Sequence, residues 1–180
     1  MTVLVIADDD GLLERLPEAR ADVLISCGDL PDYVIQRAAA RALPRHILAV
    51  KGNHDGSAPF PTPIQNLHLG TVKIAGLTFG GFGGAWKYKP KGHHLFEQFE
   101  VSGALTNYAK VDVFVAHNSP RLVHDRDDGI HTGFVAFNDY LLRHKPRYLL
   151  HGHQHVNQES LVGSTKVIGT YGFRYMVIPE

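Results

Sequence analysis

The chain has 180 residues, 44% of them apolar and 20% charged, a size and composition that suit a single domain over residues 1–180 with a sizeable core. Lys+Arg and Asp+Glu balance at 18 each, so charge gives no global basic footprint for nucleic acid, although a local groove stays open. The lone Cys27 excludes an intramolecular disulfide framework, and no apolar run is long enough for a membrane span or a signal core, which together lead us to expect a cytoplasmic protein.

Thr2–Ala7 is a continuous β-branched and apolar run, the pattern of a strand buried on both faces. Leu12, Leu13 and Leu16 predict a short helical segment ending near Pro17. Asp22–Cys27 predicts a second buried strand. Pro31 suits the first position of a helix reaching Leu43, with Val34, Ile35, Ala38 and Leu43 inward. His46–Val50 predicts a third strand, and this strand–helix alternation implies parallel pairing. Gly56–Pro63 carries three prolines in eight residues and reads as a loop.

Leu67–Ala75 and Leu77–Phe82 predict antiparallel strands around Gly76, and Gly80-Gly81-Phe82-Gly83-Gly84 begins a flexible stretch running to Gly92. His94–Tyr108 is expected to be helical and Val111–Ala116 to be another buried strand. Asn118–Thr132 reads as a long polar loop. Gly133–His144 predicts a helix with Phe134, Phe137, Leu141 and Leu142 inward, stopped by Pro146. Tyr148–Leu150, Asn157–Val162, Lys166–Ile168 and Arg174–Ile178 are the closing strands. The class is α/β: two mixed sheets face to face with helices outside would accommodate parallel strands first and antiparallel strands later.

Chemistry-bearing residues gather at the ends of these strands, where open α/β sheets bind ligands. Asp8-Asp9-Asp10 follows the first, Gly28-Asp29 the second and Gly52-Asn53-His54-Asp55 the third. His117 follows Val113–Ala116, and Gly152-His153-Gln154-His155 follows Tyr148–Leu150. Asp, Asn and His all offer lone pairs to a metal ion. Attack on phosphorus requires neutralised anionic oxygens and hydroxide at neutral pH, and two ions roughly 3.5–4 Å apart meet both needs. Asp29 could bridge such a pair. Taken singly, Asp8 and Asp29 could be helix N-caps, residues 53–56 a turn and His117 structural. The ordered set outweighs those readings. Asp9 is expected to point away as a surface or capping residue.

These five motifs resemble those of the calcineurin-like metallophosphoesterases across about residues 3–156. The resemblance implies an αββα sandwich of two mixed β-sheets flanked by helices, and a dinuclear-metal-dependent phosphoesterase with a metal-bridging hydroxide as nucleophile. Carried over by residue, one ion would be held by Asp8, Asp10, Asp29 and His155. The other would be held by Asp29, Asn53, His117 and His153. His54 would face the leaving group as a proton donor, and Asp55 would orient and polarise it. The first motif departs from the family pattern, which ends in His where this chain has Asp10. Three carboxylates make that site harder, so manganese is expected, with magnesium, iron or zinc as alternatives.

The expected substrate is a small phosphoester or nucleotide-type molecule, with a phosphodiesterase favoured over a phosphomonoesterase (phosphatase) or a nuclease. A catalytically inert metal-binding scaffold is the alternative from another class. Arg121 could contact a phosphate oxygen, or pair with Asp125 or Asp127 in a solvated loop. His131 could line the substrate pocket. Trp86–Lys91 interleaves aromatic and basic residues, fitting either base stacking or a mobile surface loop. Oligomeric state is not legible.

Overall fold

The computed structural model describes residues 1–179. In chain order the strands are β1 (Thr2–Ala7), β2 (Val23–Ser26), β3 (His46–Ala49), β4 (Ile64–Asn66), β5 (Thr71–Ile74), β6 (Leu77–Phe82), β7 (Ala85–Trp86), β8 (Leu95–Phe96), β9 (Val113–Ala116), β10 (Tyr148–His151), β11 (Glu159–Val162), β12 (Thr165–Gly169) and β13 (Gly172–Val177). The helices are α1 (Asp32–Ala42), α2 (Gln98–Thr106) and α3 (Val135–His144). One sheet has the order β13-β1-β2-β3-β4, and the other β11-β12-β10-β9-β6-β5. Each is mixed. β1 to β4 are mutually parallel and β13 is antiparallel to β1. In the second sheet β6, β9, β10 and β12 are parallel, with β5 and β11 antiparallel at the edges.

The period-two geometry of a strand explains why apolar runs without polar interruption are needed. In β1, Val3, Val5 and Ala7 face the other sheet, where they meet Val113, Val115, Leu150 and Ile168. Leu4 and Ile6 face outward and pack with Val34, Ile35 and Ala38 of α1. β9 mirrors this: Phe114 and Ala116 turn outward against Phe134, Phe137 and Tyr140. The result is an αββα sandwich with one inner and two outer apolar layers. Among the described residues no helix is long and apolar enough to cross a membrane.

Several boundaries differ from the sequence expectation. The Leu12 segment is a single 3₁₀ turn, Asp10–Glu14. The expected strand from Leu67 is interrupted: Leu67 N–H reaches back to Ala49, Gly70 turns the chain, and β5 starts at Thr71. Ile64–Asn66, hidden behind a proline-rich run, becomes β4 by pairing with β3. The helix expected from His94 begins only at Gln98, where Glu97 and Glu100 form a reciprocal capping box. Leu95–Phe96 instead pairs with Ala85–Trp86. The glycines at 80 and 81 serve close packing rather than flexibility. A Cβ at either would collide with Tyr108 or with the Val115 carbonyl of the neighbouring strand.

Candidate metal centre

Both sheets present the carboxyl ends of parallel strands to the same edge of the molecule. Asp8 directly follows β1, His117 directly follows β9, and Gly152–His155 directly follows β10. Asp29 and Asn53 lie a few residues past β2 and β3. Asp8, Asp29, His153 and His155 have φ of 63°, 53°, 62° and 52°. A left-handed backbone is costly for residues with a Cβ and collects at functional sites. Here four of the seven proposed ligands adopt it, in the turns that leave the strand ends.

The side chains converge. Ligand atoms of Asp29, His117 and His153 all lie within 4.8 Å of one another. His117 is fully buried. Its Nδ1 is 2.8 Å from the Cys27 carbonyl, and its Nε2 is 3.0 Å from Asn53 Oδ1 and 3.3 Å from Asp29 Oδ2. The carbonyl can only accept, so Nδ1 carries a proton and Nε2 is the nitrogen left for a metal. The His153 N–H donates to Asp8 Oδ2 at 2.8 Å, and His155 Nε2 stands 4.0 Å from Asp8 Oδ1. The His54 N–H donates to Asp29 Oδ1 at 2.8 Å.

Close approach depends on glycine. A Cβ on Gly28 would lie 2.6 Å from the Gly52 nitrogen and 2.8 Å from His117 Nδ1. One on Gly152 would lie 2.5 Å from Asp8 Oδ2, and one on Gly52 would strike the Asp29 carboxylate.

The electrostatics of the set call for a cation. Burial pushes the Asp8 carboxyl up to about 7, against the pull of His117. Asp8 Oδ1 is buried with no hydrogen-bond partner. Burial would also raise Asp29, but the His117 imidazolium outweighs it and holds Asp29 well below the usual carboxylate range. Burial opposes charge on His117 as well; Asp29 beside it overrides this and pushes the imidazole up to about 9. His117 thus stands in as the main counter-charge. Burial, with His117 nearby, holds His153 well below the ordinary imidazole value and keeps its ring neutral, the form that ligates. An unsatisfied carboxylate oxygen, a tautomer-fixed imidazole and a neutral imidazole are a donor set that fits divalent metal.

Asp10 heads the 3₁₀ turn and is exposed. With Asp8, Asp29, Pro31, His54 and His155 it lines a cleft of about 260 Å³. Asp9 accepts from the Gly11 N–H and pairs with Arg15, away from the centre, as the sequence predicts. Asp55 departs from its expected task. Its Oδ2 accepts the N–H groups of Asp29 at 2.9 Å and Gly52 at 2.7 Å, tying together the loops after β2 and β3. Among the described residues no hydrogen bond joins it to the His54 ring. Arg121 takes the alternative pairing: its guanidinium binds Asp125 at 2.6 Å and Asp127 at 3.1 Å. His131 stands among the centre's imidazoles, 5.1 Å from the His153 ring and 6.2 Å from that of His155.

Two contributors escaped sequence reasoning. Tyr88 OH receives the Asn53 side-chain N–H at 3.3 Å, so the Trp86–Lys91 segment is anchored to the centre. Its aromatic-basic pattern was the available signal. Gln154 is fully buried, and its amide binds Asn118 and Ser119 at 3.1 Å each and the His131 carbonyl at 2.9 Å. As the unspecified residue between two histidines it gave no signal.

The family model for calcineurin-like phosphoesterases matches residues 6–157. No curated protein matches the chain. Among solved structures it is similar to TT1561 of Thermus thermophilus, at 16% identity and a TM-score of 0.66, covering 94% of this chain and 88% of that one. It is similar to the phosphopantetheinyl hydrolase PptH of Mycobacterium tuberculosis, at 12% identity and a TM-score of 0.63, covering 99% and 96%. It is also similar to Vps29 of Entamoeba histolytica complexed with Zn²⁺, at 18% identity and a TM-score of 0.51, covering 95% and 74%. At these identities the likeness is one of fold.

Proposed function

The chain belongs to the calcineurin-like phosphoesterase family, and from that premise we propose that it is a divalent-metal-dependent phosphodiesterase acting on a small, nucleotide-type phosphoester. The observation that carries the reading is the convergence of Asp29, His117 and His153 beside a buried, partnerless Asp8 oxygen. Asp8, Asp10, Asp29 and His155 would hold one ion, and Asn53, His117 and His153 the other, with Asp29 shared. When bound, the ions would supply charge neutralisation for phosphoryl oxygens and a nucleophilic water at neutral pH. Manganese suits the carboxylate-rich half.

The chain's own residues supply the rest. His54 lines the open cleft, and its N–H bond to Asp29 fixes it relative to the ligands. From there its imidazole can give a proton to the departing oxygen, which an alkoxide leaving group needs. Asp55 acts one step back, by holding the Asp29 and Gly52 amides and so the loop that carries His54. A second contact surface supports the diester reading: Lys87, Tyr88 and Lys89 line a shallow, open depression, and the Tyr88 hydroxyl ties that segment to Asn53.

The test is hydrolysis of an aryl phosphodiester and its monoester by metal-stripped protein, with Mn²⁺, Mg²⁺ or Zn²⁺ added back. Metal-restored diester cleavage is expected. It should fall by about 10²–10⁴-fold in His54→Ala if that imidazole is the proton donor, and be lost in Asn53→Ala. Faster monoester cleavage would overturn the diester assignment. Metal binding without turnover of either compound would favour an inert scaffold.

A further inference from the structure

His131 lies beside two proposed ligands and is held on three sides. Its Nδ1 is 2.7 Å from Asp128 Oδ2, and its N–H donates to Asp128 Oδ1 at 2.8 Å. Its carbonyl accepts from the Gln154 amide at 2.9 Å. Because Gln154 is buried and also bonded to Asn118 and Ser119, this anchor belongs to the interior of the protein. The same turn lays the Ile130 carbonyl 3.4 Å from His153 Nε2, so residues 128–132 pack directly over the centre.

The tautomer follows from the partners. An ionised carboxylate only accepts, so the Nδ1 of His131 carries the ring proton. In the neutral ring Nε2 keeps its lone pair, and among the described residues nothing bonds to it. A carboxylate on one nitrogen and a free lone pair on the other is the arrangement that orients a ligating imidazole and raises its basicity. The ring sits at imidazole–imidazole spacings of 5.1 and 6.2 Å from His153 and His155, tilted by 37° and 67°. One anchor on the ring and two on the backbone of the same residue are more than lining a pocket requires.

The geometry points to His131 Nε2 as a further metal ligand of this centre, with Asp128 as the residue that positions it. The inference rests on the reading of the centre as a metal site. It carries a selectivity consequence. An added nitrogen donor favours Zn²⁺, Fe²⁺ or Mn²⁺ over Mg²⁺, which prefers oxygen.

The experiment is a competition titration of metal-stripped full-length protein with Zn²⁺, alongside the visible absorption of the Co²⁺ form and imidazole ¹⁵N NMR. In His131→Ala, one of two Zn²⁺ sites is expected to weaken by more than about 10-fold while the other is held, with a changed Co²⁺ spectrum. Asp128→Asn should weaken the same site by about 10–100-fold, the range for a group orienting a ligand. It leaves the imidazole in place and decides the matter if His131→Ala does not fold. Zn²⁺ should shift the His131 Nε2 resonance. Two wild-type affinities and an unaltered Co²⁺ spectrum in both variants would overturn the assignment of His131 alone. A wild-type protein that binds no Zn²⁺ or Co²⁺ would overturn it together with the metal reading of the centre.

Discussion

Asp8→Asn separates what the metal centre needs from what the fold needs. The Asp8 side chain is 1% exposed, with one oxygen on the His153 amide and the other unpartnered. Burial moves its proton affinity from the ordinary 3.8 to about 7. At ~1.4 kcal/mol per pH unit, that displacement corresponds to a charge penalty on the order of 4 kcal/mol in the metal-free protein. The sign follows from linkage. The unfolded carboxyl loses its proton near pH 4 and the folded one near pH 7, so stability falls as pH rises through that window. Asn keeps the shape, accepts the same N–H and tolerates the left-handed φ of 63°. Its amide N–H, placed where Oδ1 was, takes back about 1–3 kcal/mol if it finds no partner. The variant should therefore be more stable than wild type by about 1–3 kcal/mol at pH 8 in EDTA. It should show no gain at pH 4. With Mn²⁺ the order should reverse, since a ligand is gone. Urea unfolding under these three conditions checks each sign. Equal destabilisation of Asp8→Asn at pH 4 and pH 8 in EDTA would refute the view of Asp8 as an uncompensated buried charge.

Two further outcomes are expected from the same geometry. Gly52→Ala places a methyl against Asp29 and 2.6 Å from His117 Cε1, so metal affinity by equilibrium dialysis should collapse by more than about 100-fold, given that displaced ligand partners alone cost 10–100-fold. The control Gly56→Ala, with open space around its Cβ, should bind as wild type; equal binding by both variants would sink the cradle argument. Metal must displace protons from His117, held up to about 9, and from Asp8, near 7. Binding at pH 7 should then release about one to two protons, and affinity should climb from pH 6 to 9. Calorimetry in two buffers of different ionisation enthalpy measures the release, and a pH-independent affinity would contradict it.

The proposed ligands were legible because strand ends are. A β-branched run such as Thr2–Ala7 fixes where a strand stops, and parallel pairing brings all such ends to one edge. The residues just past each end then lie near their counterparts whatever the loops do. Short elements were less legible. Ile64–Asn66 has no pattern of its own and is a strand only because β3 offers an unpaired edge. Leu95–Phe96 fits a helix until Ala85–Trp86 is beside it. The glycines at 80 and 81 read as flexibility because the sequence does not show what packs against a missing Cβ.

Pairings within the centre were harder to read than membership of it, and Asp55 shows why. A carboxylate next to a histidine in sequence invites the inference that it polarises that histidine. A tight turn turns successive side chains apart while presenting unpaired amides to a short acidic side chain. Asp55 accordingly takes the Gly52 N–H of its own turn, and with it the Asp29 N–H of the loop after β2. Asp128 and His131, three residues apart in a looser turn, do meet. The rule that separates the two cases is whose amides the carboxylate accepts, since each accepts two. Asp55 takes those of Asp29 and Gly52 and none from His54. Asp128 takes those of Ile130 and of His131 itself on Oδ1, which leaves Oδ2 beside the His131 ring. On that rule the carboxylate that directs an imidazole of this centre is Asp128 acting on His131, and Asp55 sets the position of the loop on which His54 stands.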